Sequence, residues 1–263
     1  MIPPILRNKS HKKPSVFLPE NLLREARRQK GLKAGAVPKL CLLDPDGDIV
    51  RMLKREGKAR LDPQWACYHT ELFRFRVAGM EAGIIGCAVG ASYAVLLAEQ
   101  LFAAGCKALV SVTSSGRIDR KIPAPCFVLI ERALRDEGTS YHYLPPSDFC
   151  SLLPAVARAL KGPFRPLAQP IVRGSTWTTD APYRETGRAI RAAERLGISA
   201  VEMEAAALYA FSNAKKRPVV CLAHVTNQMA RVEGDFEKGR DNGAHDALAA
   251  IEAVAKKVLN ASK

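Results

Sequence analysis

Val201-Glu202-Met203-Glu204-Ala205-Ala206-Ala207-Leu208-Tyr209-Ala210 follows Gly197-Ile198-Ser199-Ala200, so an apolar strand runs straight into an alanine-rich helix with two carboxylates at the junction. A strand end inside a sheet rarely carries charge unless the charge holds something, because an unpaired buried carboxylate is strongly disfavoured. The other reading is a solvated helix start, where the helix dipole favours Glu. Spacing alone leaves both open and favours the second.

Outward from this junction the chain alternates strands and helices. Strands are expected at Lys39 to Leu43, Glu71 to Val77, Gly83 to Val89, Lys107 to Val112, Phe127 to Ile130, Pro170 to Arg173 and Pro218 to Val225. Helices are expected over Pro19 to Arg27, Ser92 to Ala104, Asp148 to Leu160, Tyr183 to Leu196 and Gly243 to Leu259. The pattern predicts an α/β fold: a single domain with a central mixed, twisted sheet flanked by helices. Residues 1–38 read as a basic N-terminal arm with a short helix, and residues 39–263 as the domain. Two turns carry chemistry. Asp44-Pro45-Asp46-Gly47-Asp48 follows the first strand but lacks a complete calcium-loop pattern, so no metal is expected there. Thr113-Ser114-Ser115-Gly116 ends a strand, where ligands of open α/β sheets collect. Gly90 opens a helix with small neighbours, leaving backbone N–H groups accessible to a ligand. Gly174 to Asp180 reads as a loop with Trp177 among hydroxyls.

Composition narrows the class. The 263 residues are 48% hydrophobic and 25% charged, enough for a substantial core. The apolar runs stop well short of the roughly 20 residues a membrane span requires, and no signal peptide is visible; a cytoplasmic location is expected. The seven cysteines form no C-x-x-C pair and read as reduced core residues. Ten basic residues against two acids lie before Leu40, a large part of the net charge of +14. No aromatic interleaves with the basic run Arg24 to Lys33, so the arm reads as a solubilising face and no nucleic-acid partner is expected.

Three segments together carry a resemblance. Val201-Glu202-Met203-Glu204-Ala205-Ala206 resembles the V-E-M-E-A-A signature of the nucleoside phosphorylase superfamily, which includes uridine phosphorylases, purine nucleoside phosphorylases and nucleosidases. Arg135-Asp136-Glu137-Gly138-Thr139-Ser140-Tyr141-His142-Tyr143 and Thr178-Thr179-Asp180-Ala181-Pro182-Tyr183-Arg184-Glu185-Thr186 resemble segments of its uridine-phosphorylase-like branch, in the same order. The resemblance implies a pentosyltransferase that cleaves a nucleoside's ribosyl N-glycosidic bond. It gives ribose binding to Met203 and Glu204, with Glu202 beside them; a carboxylate that accepts from both sugar hydroxyls orients the ring and stabilises oxocarbenium charge. It places the base near Trp177, Thr178 and Asn227, and implies a homo-oligomer built from dimers, a hexamer or a smaller assembly, whose neighbour lends His69 or His11.

The resemblance breaks at the phosphate site. The family's G-D-P-D-R turn reads Leu43-Asp44-Pro45-Asp46-Gly47 here, Ser111 stands where a middle-strand arginine would, and the neighbour's arginine falls near Tyr68-His69. Without charge-assisted donors a phosphate dianion binds poorly. The phosphate or water pocket is therefore expected from Ser111, Ser114, Ser115, Gly116, Gly90 and His69, with Arg117 a further candidate. Phosphorolysis to free base and ribose 1-phosphate is the first expectation, with inorganic phosphate as co-substrate and no other cofactor. A nucleosidase using water activated by Asp46 is the alternative, and a nucleoside-binding protein without catalysis is the second alternative. Asp46 and Asn227 are the candidate catalytic pair.

Overall fold

The computed structural model describes residues 2–227 and 233–260. Its strands are β1 (Leu40–Asp44), β2 (Arg60–Leu61), β3 (Phe73–Val77), β4 (Met80–Gly86), β5 (Ala108–Arg117), β6 (Cys126–Asp136), β7 (Phe149–Ser151), β8 (Ile171–Thr179), β9 (Ala200–Glu202) and β10 (Val219–Asn227). The helices are α1 (Pro19–Lys30), α2 (Asp48–Arg55), α3 (Ala91–Ala103), α4 (Pro154–Ala159), α5 (Gly187–Arg195), α6 (Ala205–Lys215) and α7 (Ala244–Asn260). All ten strands join one mixed sheet in the order β10-β6-β8-β9-β5-β1-β4-β3-β2, with β7 paired to β6.

The first strand of that order closes back on its fifth, because β10 also pairs with β5. A ring of five strands (β5, β10, β6, β8, β9) results, and β1, β4, β3 and β2 extend from it as an open wing. Strand β5 makes this possible by its length. Its first half runs parallel between β1 and β10, and at Gly116 and Arg117 it turns to pair antiparallel with β9. The C-terminal ends of β1, β5 and β10 therefore converge.

Several sequence expectations change in the structure: Thr113 to Gly116 lies within β5 and not in a turn, and Tyr183 to Leu196 is a single 3-10 turn at Pro182–Arg184 followed by α5, which Thr186 caps. Gly174 to Asp180 continues the strand: β8 runs through Thr179, because β-branched threonines suit a pleated surface and their hydroxyls find partners. The segment Asp148 to Leu160 is not one helix; Pro154 starts a short α4 after strand β7. Helix α2 grows directly out of the acidic turn, which was expected to be a turn alone. Helix α1 ends at Gly31 in the left-handed conformation (φ 63°), and it buries Leu23 and Ala26 against the core. Among the described residues no helix is long and apolar enough to cross a membrane.

Helix α6 is buried on all sides from Ala205 to Ser212. Its alanines permit the close approach of β6, β7, β10 and α3. Tyr209 anchors it: the phenol donates to the Ile130 carbonyl (2.5 Å) and accepts from the Cys221 amide (3.2 Å), tying α6 to β6 and β10. Replacing Tyr209 by Phe leaves both backbone groups short of a partner in a dry core, and a loss of about 1–3 kcal/mol is expected in urea unfolding. An unchanged midpoint would remove this anchor from the account.

Candidate active site

The junction quoted at the outset lies where β9 enters α6, and its two glutamates do different work. The Glu202 carboxylate accepts from Thr176 Oγ1 (3.0 Å), Thr178 Oγ1 (2.5 Å), Glu204 N (2.7 Å) and Ala205 N (2.7 Å). It caps the free N–H groups of α6 and fastens them to β8. Thr178 Oγ1 also accepts from Ala206 N (3.0 Å). Four protein donors engage Glu202 fully, so it stands behind the site rather than in it. Among the described residues Glu204 Oε1 accepts from Gly90 N (2.7 Å), while Oε2 is buried without a hydrogen-bond partner. The Thr113 hydroxyl beside it donates to the Ser114 carbonyl (3.3 Å) and lies close enough to oppose part of the rise in the Glu204 carboxyl. Burial and the neighbouring Glu202 push the Glu204 carboxyl up to about 8. Met203, between them, is half-buried.

The acidic turn after β1 forms the opposite wall. Asp44 is buried and accepts from Gly47 N (3.1 Å) and Val50 N (2.9 Å), capping α2; burial pushes its carboxyl up to about 7. Gly47 has φ +75°, and a Cβ there would lie 2.7 Å from Cys87 Sγ and 2.8 Å from Arg51 Nη1, so glycine is required twice over. Asp46 then projects towards β5, accepting from Ser114 N and Ser114 Oγ (both 2.8 Å). Lys238 Nζ lies 3.3 Å from Asp46 Oδ2 and 2.8 Å from Asp48 Oδ2. Asp48 also accepts from Arg51 (2.6 Å) and Asn242 (3.1 Å); burial would raise its carboxyl, but these partners outweigh burial and hold it below the usual range.

Asp46, Asp48, Thr113, Ser114, His224 and Lys238 line a cavity of about 20 Å³. His224 stacks on Phe127 at 4.2 Å, and its Nε2 lies 2.7 Å from Gln169 Oε1. The Gln169 amide nitrogen donates to Asp246 (2.8 Å), which leaves its oxygen for His224. His224 Nε2 therefore carries the proton and Nδ1 is an acceptor. Burial, reinforced by Lys238, pushes His224 down to about 4, so the ring is neutral.

The remaining expected site residues are dispersed. Ser111 and Ser115 are buried on β5 with unpartnered hydroxyls. Gly116 lies in register with Asn227, which is buried at the end of β10. Trp177 faces away from Thr176 and Thr178, packs against Ile118, Ala193, Ile198 and Val201, and donates to Asp136 (2.9 Å). With the Gly138 N to Asp180 bond (2.8 Å), that contact ties the two polar motif segments to each other. Arg117 is turned onto the carbonyls of Asp119, Arg120 and Ile122. His69 is exposed and distinct from the cavity lining, its carbonyl accepting from Tyr93 (3.3 Å). His11 reaches the Tyr141 carbonyl (3.1 Å).

Lys238, His224 and Asn242 were not among the expected residues. Lys238 sits in a glycine-rich polar segment without periodicity, and only the fold carries it to a turn 190 residues away. The oxygens of Asp44, Asp46 and Asp48 are engaged by amides, Ser114, Lys238, Arg51 and Asn242. Among the described residues one group is close enough to hold a cation, Glu56 with Asp241 and His245. Its acids already face Lys58 (2.9 Å) and Arg55 (2.7 Å).

Residues 39–260 match the family model of the phosphorylase superfamily, and the chain belongs to that superfamily. Its enzymes act on nucleosides, as phosphorylases or nucleosidases. Compared with curated protein sequences, the chain has no match. Among solved structures it is similar to uridine phosphorylase from Vibrio fischeri complexed with 6-hydroxy-1-naphthoic acid, with TM-score 0.70, 18% identity and coverage of 89% of this chain and 98% of that one. It is also similar to a Helicobacter pylori nucleosidase mutant with 5′-methylthioadenosine in the active site (TM-score 0.65, 14% identity, 84% and 99% coverage). A third is 5′-methylthioadenosine/S-adenosylhomocysteine nucleosidase from Neisseria meningitidis in complex with methylthio-immucillin-A (0.62, 15%, 82% and 98%). At these identities the likeness is one of fold.

Two stability effects follow. Thr178→Val removes a donor to Glu202 and the acceptor of Ala206 N, and should cost about 1–3 kcal/mol in denaturant unfolding. The neutral His224 contributes stability that is complete above its ordinary value near 6.5 and is lost as pH falls towards 4. Unfolding midpoints across that window should fall more steeply for the parent than for His224→Gln; parallel slopes would contradict the assignment.

Proposed function

We propose that this protein cleaves the N-ribosyl bond of a nucleoside by hydrolysis, with water activated by Asp46. The observation carrying the reading is the Asp46 carboxylate, fixed by Ser114 and Lys238 beside a cavity of about 20 Å³. About 10–15 Å³ accommodates a single water. A tetrahedral oxyanion needs more room, and Asp46 and Asp48 would repel it.

In this reading the ribose diol lies on Glu204, whose buried Oε2 has an open acceptor position. Met203 supplies a soft apolar face to the sugar. The water oxygen bonds to C1′, its proton passes to Asp46, and the C1′–N bond breaks with its electron pair leaving on the base. Glu204 opposes the positive charge that develops on the sugar. Asn227 bonds the base edge; its amide has no titratable proton to give the leaving nitrogen. Glu202 and Thr178 act by positioning Glu204, and Trp177 supports β8 from its far face. Phosphorolysis is the second reading, favoured by Lys238 and Arg51, two cations at the Asp46 turn that an entering phosphate could draw from the aspartates. Assembly into a dimer-based oligomer and a cytoplasmic location belong to the same proposal.

A nucleoside panel assayed with and without phosphate tests it. Free base and ribose are expected in phosphate-free buffer; ribose 1-phosphate formed only with phosphate overturns the hydrolytic reading, and tight binding without turnover overturns catalysis altogether. Asp46→Asn should lower kcat by about 10²–10⁴. Only ionised Glu204 accepts from both ribose hydroxyls, so kcat/KM should rise with pH up to about 8 and level off above it. Glu204→Gln should be impaired and lack that inflection; a near-normal variant sinks its role.

A further inference from the structure

A second concave surface lies on the wing of the sheet, away from the site just described. Lys58, Arg60, Arg74, Arg76 and Glu81 line a groove of about 610 Å³ between the end of α2 and the outer face of β2, β3 and β4. On β3, Phe73, Phe75 and Val77 point into the core, so Arg74 and Arg76 share the outward face. Arg60 lies directly opposite Arg74 in the antiparallel register, an arrangement of like charges that costs stability unless an anion intervenes. Glu81 is that anion, accepting from Arg60 (2.8 Å) and Arg74 (2.9 Å).

The compensation is incomplete. Asp62 takes the inner side of Arg74 (2.8 Å), and Glu56, outside the groove, takes Lys58. Glu81 is shared between Arg60 and Arg74, and Arg76 donates to the Gly79 carbonyl (2.7 Å) with no carboxylate at ion-pair distance among the described residues. Charged blunting of a sheet edge against aggregation accounts for cations on β2 and β3. It does not call for four of them lining one concavity of small-ligand size with a single carboxylate, Glu81, among its walls. We propose that this groove is a binding site for a small phosphate-rich anion of the oligophosphate class, with Arg60 and Arg76 as its forks and Lys58 at the rim. Phe75, the aromatic that borders the groove, is 4% exposed with its ring turned into the core, so the phosphates and not a base are what the groove recognises.

Tripolyphosphate is the probe, titrated calorimetrically into the full chain at low and at physiological salt. Binding at one site per chain is expected, weakening with salt. The Arg60→Ala/Arg76→Ala double variant should bind at least about tenfold more weakly, while Lys12→Ala/Lys13→Ala in the N-terminal arm binds as the parent does. The double variant's nucleoside turnover or, failing that, its unfolding midpoint confirms that it is folded. Absence of saturable binding at low salt, equal binding by the double variant, or equal loss in the arm variant overturns the proposal. So does binding of single-stranded RNA where tripolyphosphate has no effect.

Discussion

One buried carboxylate holds the centre of this fold together. Glu202 receives two hydroxyls from β8 and two amides from the start of α6, and thereby joins a strand, the next strand and a helix at one point. Removing a donor from such a network leaves a charge underserved in a dry environment, which is why its geometry is closely specified. The consequence extends to the next residue but one. Glu204 is delivered with one oxygen on Gly90 and the other open, so a fully satisfied acid presents an incompletely satisfied one.

The acidic turn repeats this division of labour. Asp44 is consumed by the backbone of its own turn, and Asp46 is thereby aimed at Ser114. Burial raises Asp44 and Glu204, whereas Lys238, Arg51 and Asn242 hold Asp48 down. Neighbouring carboxyls thus differ in proton affinity because their surroundings differ, which lets one site contain several acids with distinct roles.

Much of the fold was legible because its signals are local. The apolar strands, the glycine ending α1 and the alanine-rich α6 follow from short-range rules. Glu204 was legible for the same reason, lying within a contiguous motif. Gly174 to Asp180 was misread because glycine and hydroxyls mark loops in general, yet here the hydroxyls face a buried acid and the segment extends. Trp177 read as a site aromatic because its neighbours are polar, but strand alternation turns it to the opposite face. Lys238 and His224 were not legible at all. Their meeting with Asp46 depends on β10 closing against β5, a contact between elements more than a hundred residues apart in sequence.

Strand β5 touches both walls of the site and belongs wholly to neither. The wall carrying Glu204 is built by β9 and α6; the wall carrying Asp46 is built by the β1 turn, Ser114 and the segment leading into α7. The two walls share few side chains. A lineage can therefore rewrite the Asp46 wall, glycine or serine for arginine, while leaving the Glu204 wall intact. The architecture is modular, and in the proposed reaction the division between the two halves of the transition state runs along a single strand.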